Sequence, residues 1–381
     1  MPVEKPVCSG LIERIGLENS VIKHKTYFDG VEKVVERTLD LPDHEAGLKE
    51  VLALLTDEEI GVIRNPEEIY AVGHRVVHGG ETFAATTVIM QQVKDKIKEL
   101  FSLAPLHNPA NYMGIEVAGK IFTNAKQIAV FDTAFHQTMP EKAYRYAIPK
   151  SYYTDFKIRA YGFHGTSHKY VTEQAIAYLQ KPDSKLITIH LGNGCSMAAV
   201  KDGKSVDTSM GFGPLSGLIM GTRSGDIDPS IIFHLINQLG YDAEQVNTLL
   251  NKRSGMLGMT GFSDMRDIED AIKKGSEDAE FASELYAYRI QKYIGAYAAV
   301  LNGLDAIVFT AGVGENDISI RERICTDMDF LGISIDLTKN NVRSGQMREI
   351  NKADSRVKVL VIPTNEELEI AKQCFELLEG E

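Results

Sequence analysis

Two glycine-rich turns and a few charged side chains set among small or apolar neighbours are where this chain of 381 residues could do chemistry. The first turn is HLGNG (190–194), running on into Cys195 and Ser196. A strand that ends in such a turn exposes backbone N–H groups at its tip, and Gly192, Gly194 and the small Ser196 leave room for a phosphate to approach them. Taken alone, the same turn is equally a plain hairpin. The second is AGVGEN (311–316), between the apolar DAIVFT (305–310) and the helical ISIRERICTDM (318–328). It sets backbone amides and a helix N-terminus near one point, which favours an anion through unpaired N–H donors and the helix dipole. No GK[ST] follows, so it is not a P-loop, and the spacing is wrong for a dinucleotide fingerprint.

The charged candidates divide by type. Arg75 lies in the strand-like YAVGHRVVHGG (70–80) and Arg223 in GTRSGD (221–226). A guanidinium offers a fixed fork of donors to carboxylate or phosphate oxygens; singly, each is more often a structural ion pair. His164 stands in GFHGTSH (162–168), while His107 and His190 adjoin proline or glycine turns and have either chemical or positional work. His74, His78, His136 and His168 read as satisfied core residues. Asp132 ends an apolar strand, where a buried carboxylate is costly unless it meets a cation or donor. Glu366 follows VKVLVIP (357–363) and could help hold a divalent cation, usually through water for magnesium; Thr364 with Glu367 reads as a capping box for the last helix.

The elements that must position these groups alternate between strand and helix, which implies parallel or mixed sheets covered by helices. Residues 186–191, 195–201 and 204–209 read as three strands, the last two joined by an Asp202-Gly203 hairpin turn. Residues 108–122 read as a helix, 127–132 as the buried strand after it, 282–304 as a long helix with small and aromatic residues on most faces, and 44–55 as another helix. A chain this long implies two domains. Hydrophobic residues make up 44% and charged ones 25%, as in soluble globular proteins. A net charge of −12 and the lack of any long Lys/Arg cluster argue against nucleic acid as a partner. Cys8, Cys195, Cys325 and Cys374 have neither CxxC spacing nor histidine partners, consistent with reduced thiols in a cytoplasmic protein. No signal pattern and no long apolar run points to a membrane.

Beyond these local readings, the chain resembles the acetate kinases, within the superfamily of sugar kinases, actin and Hsp70-type ATPases. The segments that carry the resemblance are GHRVVHGGE (73–81), LAPLHNP (103–109), FDTAFHQTMP (131–140), YGFHGTSH (161–168), HLGNG (190–194), DTSMGFGPLSGLIMGTRSGDIDP (207–229), SDMRDIE (263–269), FTAGVGEN (309–316) and IPTNEE (362–367). They cover nearly the whole chain in the family's order. The resemblance implies a two-lobed α/β fold of the actin-like ATPase, ribonuclease H-like type, with mixed sheets and a central cleft. The expected lobes are 1–132 with 368–381 on the acyl side, and 133–367 on the nucleotide side. The implied reaction is reversible, in-line phosphoryl transfer between ATP and acetate, giving ADP and acetyl phosphate, with Mg²⁺ or alternatively Mn²⁺. In it Arg75 and Arg223 clamp the carboxylate and phosphoryl group, His164 with His107 stabilises the transferring group, Asp132 orients the acyl end and Glu366 organises the metal. Val77, Leu106, Phe163 and Pro214 match a small acyl pocket. His190, Gly192, Asn193, Gly194, Asp264, Arg266, Gly312, Gly314 and Asn316 match the nucleotide side, although Asp264-x-Arg266 is otherwise a common surface pair. A cytoplasmic homodimer is implied, with the helix near 282–304 either one of its contacts or a core helix.

One departure bears on activity. Family members begin with a strand, an Asn-containing, Ser-rich glycine turn and a Lys, and this chain opens instead at MPVEKPVCSGLIERIG. The expectation is a first lobe short of about one and a half strands, through a start set too far downstream or a trimmed chain ahead of a genuine loss in the lineage, with one or two strands before the helix at 44–55. Two other readings stand beside the acetate kinase: a kinase of propionate or another short acyl chain, and an impaired nucleotide-binding form without the first phosphate loop.

Overall fold

The computed structural model describes residues 4–28, 31–105 and 107–380, which form two compact units, 1–131 with 367–381 and 132–366. Leu106 falls outside the described residues.

In the first unit, β1 (Cys8–Glu13), β2 (Ser20–Phe28) and β3 (Val31–Leu39) form an antiparallel sheet ahead of the helix His44–Leu55. That is three strands where the sequence suggested one or two. Their signal is weak because each carries charge: VEKVVERTL has apolar residues at helix-like as well as strand-like spacing, and only the pairing of Lys25 with Glu32 (2.9 Å) and Lys23 with Glu36 (3.4 Å) across strands makes sense of it. A second sheet has the order β4 (Ala71–Val76), β6 (Lys126–Phe131), β5 (Thr87–Val88), with β4 parallel and β5 antiparallel to β6. Between β5 and β6 runs the helix Asn108–Ile121, whose Ala118, with Phe122 and Ala125, packs against Leu48 and Leu52 of the helix His44–Leu55. The last helix, Glu366–Glu379, lays Ile370 and Cys374 on Ile128 and Val130 of β6.

The second unit is built on a six-stranded mixed sheet. It comprises β7 (Lys185–Leu191), β8 (Cys195–Lys201), β9 (Lys204–Thr208), β10 (Ala306–Thr310), β11 (Arg348–Glu349) and β12 (Lys358–Val361), in the order β11-β12-β10-β7-β8-β9. β10 lies parallel to both β7 and β12, while β7, β8 and β9 form an antiparallel meander. Burial on both faces explains why β7 and β10 read as continuous apolar runs rather than alternating ones. Val171 and Ala175 of the helix Gly165–Leu179 cover one face, against Leu186, Ala198 and Val308. The β8–β9 connection is the expected two-residue turn: Asp202 and Gly203 both have positive φ (52° and 74°), as a type I′ hairpin requires.

Three boundaries differ from the sequence reading. The long helix runs Glu277–Leu301, five residues earlier at its start, because Ser276 accepts a hydrogen bond from the Ala279 N–H and caps it there. The segment AGVGEN, read as a glycine loop, is itself a short helix, Ala311–Asn316, closed by Asn316 Nδ2 donating to the Gly312 carbonyl (2.8 Å). Glu366 is the first residue of the last helix rather than a residue ahead of it, and the Thr364 hydroxyl lies 2.8 Å from Ser167 Oγ. Among the described residues no helix is long and apolar enough to cross a membrane.

Candidate active site

In the second unit the motif GFHGTSH leads from a loop into a helix start, and each of its last five residues contacts the site. His164 is the N-cap of the helix Gly165–Leu179 and has a left-handed backbone (φ 56°). A non-glycine residue there is uncommon, stores about 1–3 kcal/mol of strain, and is held only where surroundings over-determine it. The surroundings are visible in the next four residues. The Gly165 N–H donates to the Asp132 carbonyl (2.9 Å), and the Thr166 hydroxyl donates to the Asp132 carboxylate (3.2 Å). Ser167 Oγ meets His190 Nδ1 and Thr364 Oγ1, both at 2.8 Å. His168 bonds through Nδ1 to Thr188 Oγ1 (2.7 Å) and through Nε2 to Ser196 Oγ (2.8 Å). Asp132, fully buried, therefore sits on the first turn of a fifteen-residue helix, where donors and dipole favour a carboxylate.

His164 Nδ1 lies 2.8 Å from Ser196 Oγ, and its ring stacks on His190 with centroids 4.2 Å apart and planes 19° apart. Arg223 enters from the loop after β9, half-buried, with Nη1 donating to the Pro214 carbonyl (3.2 Å). Gly194 brings His164 and Arg223 together. A Cβ on Gly194 would lie 3.5 Å from His164 Nε2 and 3.7 Å from Arg223 Nη1, so one point of open space touches both groups. A side chain would fill that space; glycine leaves it for a ligand atom. Phe163 is buried and its carbonyl lies 3.0 Å from His136 Nε2, while Pro214 is half-buried.

Beside this turn opens a pocket of about 670 Å³, within the range of small-molecule sites. Gly192, Asn193, Asp264, Arg266, Gly312 and Asn316 line it, all expected on the nucleotide side. Asp264 caps the helix Met265–Lys273 and accepts from Arg266 Nε (3.0 Å), which holds its carboxyl down at about 2. The pair is thus both a local ion pair and part of a pocket wall. Gly314, also expected on the nucleotide side, packs behind the pocket wall, its would-be Cβ 3.5 Å from the Phe309 carbonyl carbon and 3.6 Å from the Ile189 carbonyl oxygen. His190 and Gly194 likewise stand at the turn rather than in the pocket wall.

Residues that sequence reasoning left without a role also line it, among them Gly221, Ser263, Glu269 and Arg343. Gly221 had a findable signal, a glycine two residues before Arg223, and its reason is steric: a Cβ there would fall 1.9 Å from Asn193 Oδ1. Arg343 lies in no motif. Ser196, valued only for its size, and His168, read as core, carry the hydrogen bonds to and behind His164. Cys195 is buried, with Sγ 3.1 Å from the Tyr286 hydroxyl, and burial pushes its thiol up to about 11, which fits a packing role.

In the first unit Arg75 lies on β4 in an exposed position, paired in register with Val130. Val77 and His78 follow β4 and are held by the start of the helix Asn108–Ile121. The Val77 N–H donates to Asn111 Oδ1 (3.1 Å); the His78 N–H donates to Asn108 Oδ1 and Asn108 Nδ2 to the His78 carbonyl, both 3.0 Å. His107 is the half-buried N-cap of that helix. His74, His78, His136 and His168 are buried or half-buried, and burial is the leading cause that lowers each imidazole, to about 4 for His78 and His136.

As to a cation, the described residues hold no cluster of three or more His, Cys, Asp or Glu side chains. Mg²⁺ does not require one, since it is commonly held by one or two carboxylates, waters and the phosphates of its substrate, and Asp132 and Glu366 are oxygen donors of that kind.

Comparison with known proteins agrees with this chemistry. The model of the acetokinase family matches residues 1–372. An acetate kinase of Flavobacterium johnsoniae is 60% identical over 380 residues, covering 100% of this chain and 95% of that protein. The crystal structure of Porphyromonas gingivalis acetate kinase matches with a TM-score of 0.90 at 46% identity, over 98% of this chain and 93% of that one. A propionate kinase from Francisella tularensis also matches with a TM-score of 0.90, at 42% identity, over 97% of this chain and 92% of that one. The α/β fold with mixed sheets is thus the one the resemblance implied, and the chain belongs to the acetokinase family.

Proposed function

We propose that this chain is an acetate kinase, transferring the γ-phosphoryl group of ATP to acetate and back in a direct in-line step. The observation that carries this reading is the convergence of His164 and Arg223 on the space left by Gly194, beside the pocket at Gly192 and Asn193, in a chain of this family. Phosphoryl transfer needs little covalent help, so positioning and neutralising charge on the transferring oxygens supply most of the acceleration. His164 with His107 donates to those oxygens, and Arg75 and Arg223 clamp the carboxylate and the phosphoryl group. Asp132 is held fixed by the helix start at Gly165 and Thr166 to orient the acyl end. The resemblance to the family assigns Val77, Leu106, Phe163 and Pro214 to the acyl side. Asn193, Gly192, Asp264, Arg266, Gly312 and Asn316 form the nucleotide side, and Glu366 helps hold Mg²⁺, or Mn²⁺ in its place, which when bound neutralises charge on the phosphates.

Identity of 60% to an acetate kinase over 380 residues favours this reading over a nucleotide-binding form with little catalysis. Acetate is preferred and propionate is a secondary substrate, because one methylene is worth only about 1–3 kcal/mol in an apolar pocket. The protein works in the cytoplasm as a homodimer. The apolar helix Ser230–Asn237 buries none of its residues, and Phe281, Tyr288 and Val300 are exposed along the helix Glu277–Leu301, which supports such a contact. The deciding experiment is formation of acetyl phosphate from ATP, acetate and Mg²⁺. ATP hydrolysis without acetyl phosphate, or turnover of butyrate in preference to acetate, overturns the assignment.

A further inference from the structure

Ser196 Oγ lies 2.8 Å from His164 Nδ1 and 2.8 Å from His168 Nε2, and His168 Nδ1 lies 2.7 Å from Thr188 Oγ1. Ser196, His168 and Thr188 are all fully buried. Ser196 sits on β8 in register with His190 of β7, so the sheet fixes its hydroxyl between the two imidazoles. A hydroxyl has one proton and must donate to one ring and accept from the other, and a neutral imidazole has one N–H. With both rings neutral, two proton arrangements satisfy these three bonds. In the first, Thr188 donates to His168 Nδ1, His168 Nε2–H donates to Ser196, and Ser196 donates to His164 Nδ1. In the second, every bond runs the other way, and a neutral His164 then carries its proton on Nδ1 and a lone pair on Nε2.

We propose that Ser196 and His168 are positioning residues that hold His164 neutral with its proton on Nε2, the atom that faces Gly194 and Arg223. The proposal rests on the reading of His164 as a donor to the transferring phosphoryl group. It adds how that donor is kept in the right tautomer without a charge. Arg223 lies against the same open space, His190 stacks on the ring, and a second full cation beside the guanidinium would be disfavoured. A lone pair on Nε2 would instead repel a phosphoryl oxygen. The arrangement parallels the way a buried partner sets the tautomer of a catalytic histidine in hydrolase triads, where the wrong tautomer is costly in kcat.

The test uses the full chain labelled with ¹⁵N-histidine, whose ring nitrogens report protonation directly by long-range proton–nitrogen correlation at about pH 7.5. His164→Gln identifies the His164 signals by their loss. The expected wild-type spectrum has His164 protonated at Nε2 and bare at Nδ1. In Ser196→Ala both tautomers should appear, with kcat down about 10-fold or more and the KM values for ATP and acetate nearly unchanged. Ser196→Thr, which keeps the hydroxyl, should restore the single tautomer and most of kcat. A wild-type proton on Nδ1 overturns the proposal without any variant having to fold, as does a Ser196→Ala protein with the wild-type tautomer and kcat. If His164→Gln itself retained full activity, the catalytic reading of His164 would fail while the tautomer measurement still decided the relay.

Discussion

Replacing Gly221 with alanine tests whether Asn193 positions the nucleotide, without changing any charge. The new Cβ would fall 1.9 Å from Asn193 Oδ1 and 3.0 Å from the Ser263 carbonyl oxygen, whereas real Cβ contacts essentially never come below 3.0 Å. The backbone cannot retreat easily, since the Gly221 N–H donates to the Asn193 carbonyl (3.0 Å) and the Gly221 carbonyl accepts from the Leu257 N–H (2.9 Å). The Asn193 side chain must therefore move by about 1 Å or more out of the pocket wall it forms. Overpacking of this kind costs about 1–3 kcal/mol, or about 2–4 °C of melting temperature per kcal/mol for a unit of this size. A misplacement of about 1 Å at a reacting group can cost about 10²-fold. We expect kcat/KM for ATP to fall by that order, chiefly through KM, while KM for acetate changes little. Steady-state kinetics with each substrate varied in turn gives both numbers. A double-mutant cycle isolates the cause: with Asn193→Ala already present the clash is gone, so Gly221→Ala should add little, leaving a coupling of about 1 kcal/mol or more. Additive losses in the cycle, or an unchanged ATP KM in a folded Gly221→Ala protein, would refute the reasoning.

Other perturbations follow from the same geometry. Arg223→Ala should lower kcat/KM by about 10²-fold or more, roughly 3 kcal/mol of transition-state contact, and Arg223→Lys should recover only part, because an ammonium lacks the fork of donors; wild-type kinetics would remove Arg223 from the mechanism. Val77→Ala should shift the ratio of kcat/KM for acetate over propionate toward propionate by about 1 kcal/mol, and an unchanged ratio would mean that Val77 does not line the acyl pocket. His136 is buried and its imidazole is lowered to about 4, so between about 6.5 and 4 the unfolded chain binds the proton that the folded one refuses. Stability should therefore fall as pH drops through that window, by up to ~1.4 kcal/mol per pH unit from this residue, and urea melts of wild type and His136→Asn should diverge above about pH 6 and converge toward about pH 4. Cys195, with its thiol raised to about 11, should resist iodoacetamide at about pH 8 in the folded protein and react after denaturation.

Much of the chemistry was legible in the residues because it is local. A strand running into HLGNG exposes amides whatever surrounds it, Asp202-Gly203 dictates a type I′ turn, and GFHGTSH had to place its residues at a helix start. Charge and composition bounded the class of partner, and segments in family order named the reaction. What the chain alone did not reveal depends on contacts between residues distant in sequence. The helix of AGVGEN is closed by a side-chain bond that its glycine content does not announce, and β3 is a strand through its ladder with β2, on which Lys23 and Lys25 meet Glu36 and Glu32. Gly314 and Gly312 look alike in sequence, yet one packs against Phe309 and Ile189 while the other borders the pocket. Ser196 and His168 are 28 residues apart and share one proton only because β8 is registered on β7 beneath the helix that begins at Gly165. Residue type determined which groups could donate, accept or carry charge. Only the packed sheet and helix decided which of them meet, since a hydrogen bond needs its partners within a few tenths of an ångström and no local pattern sets that distance.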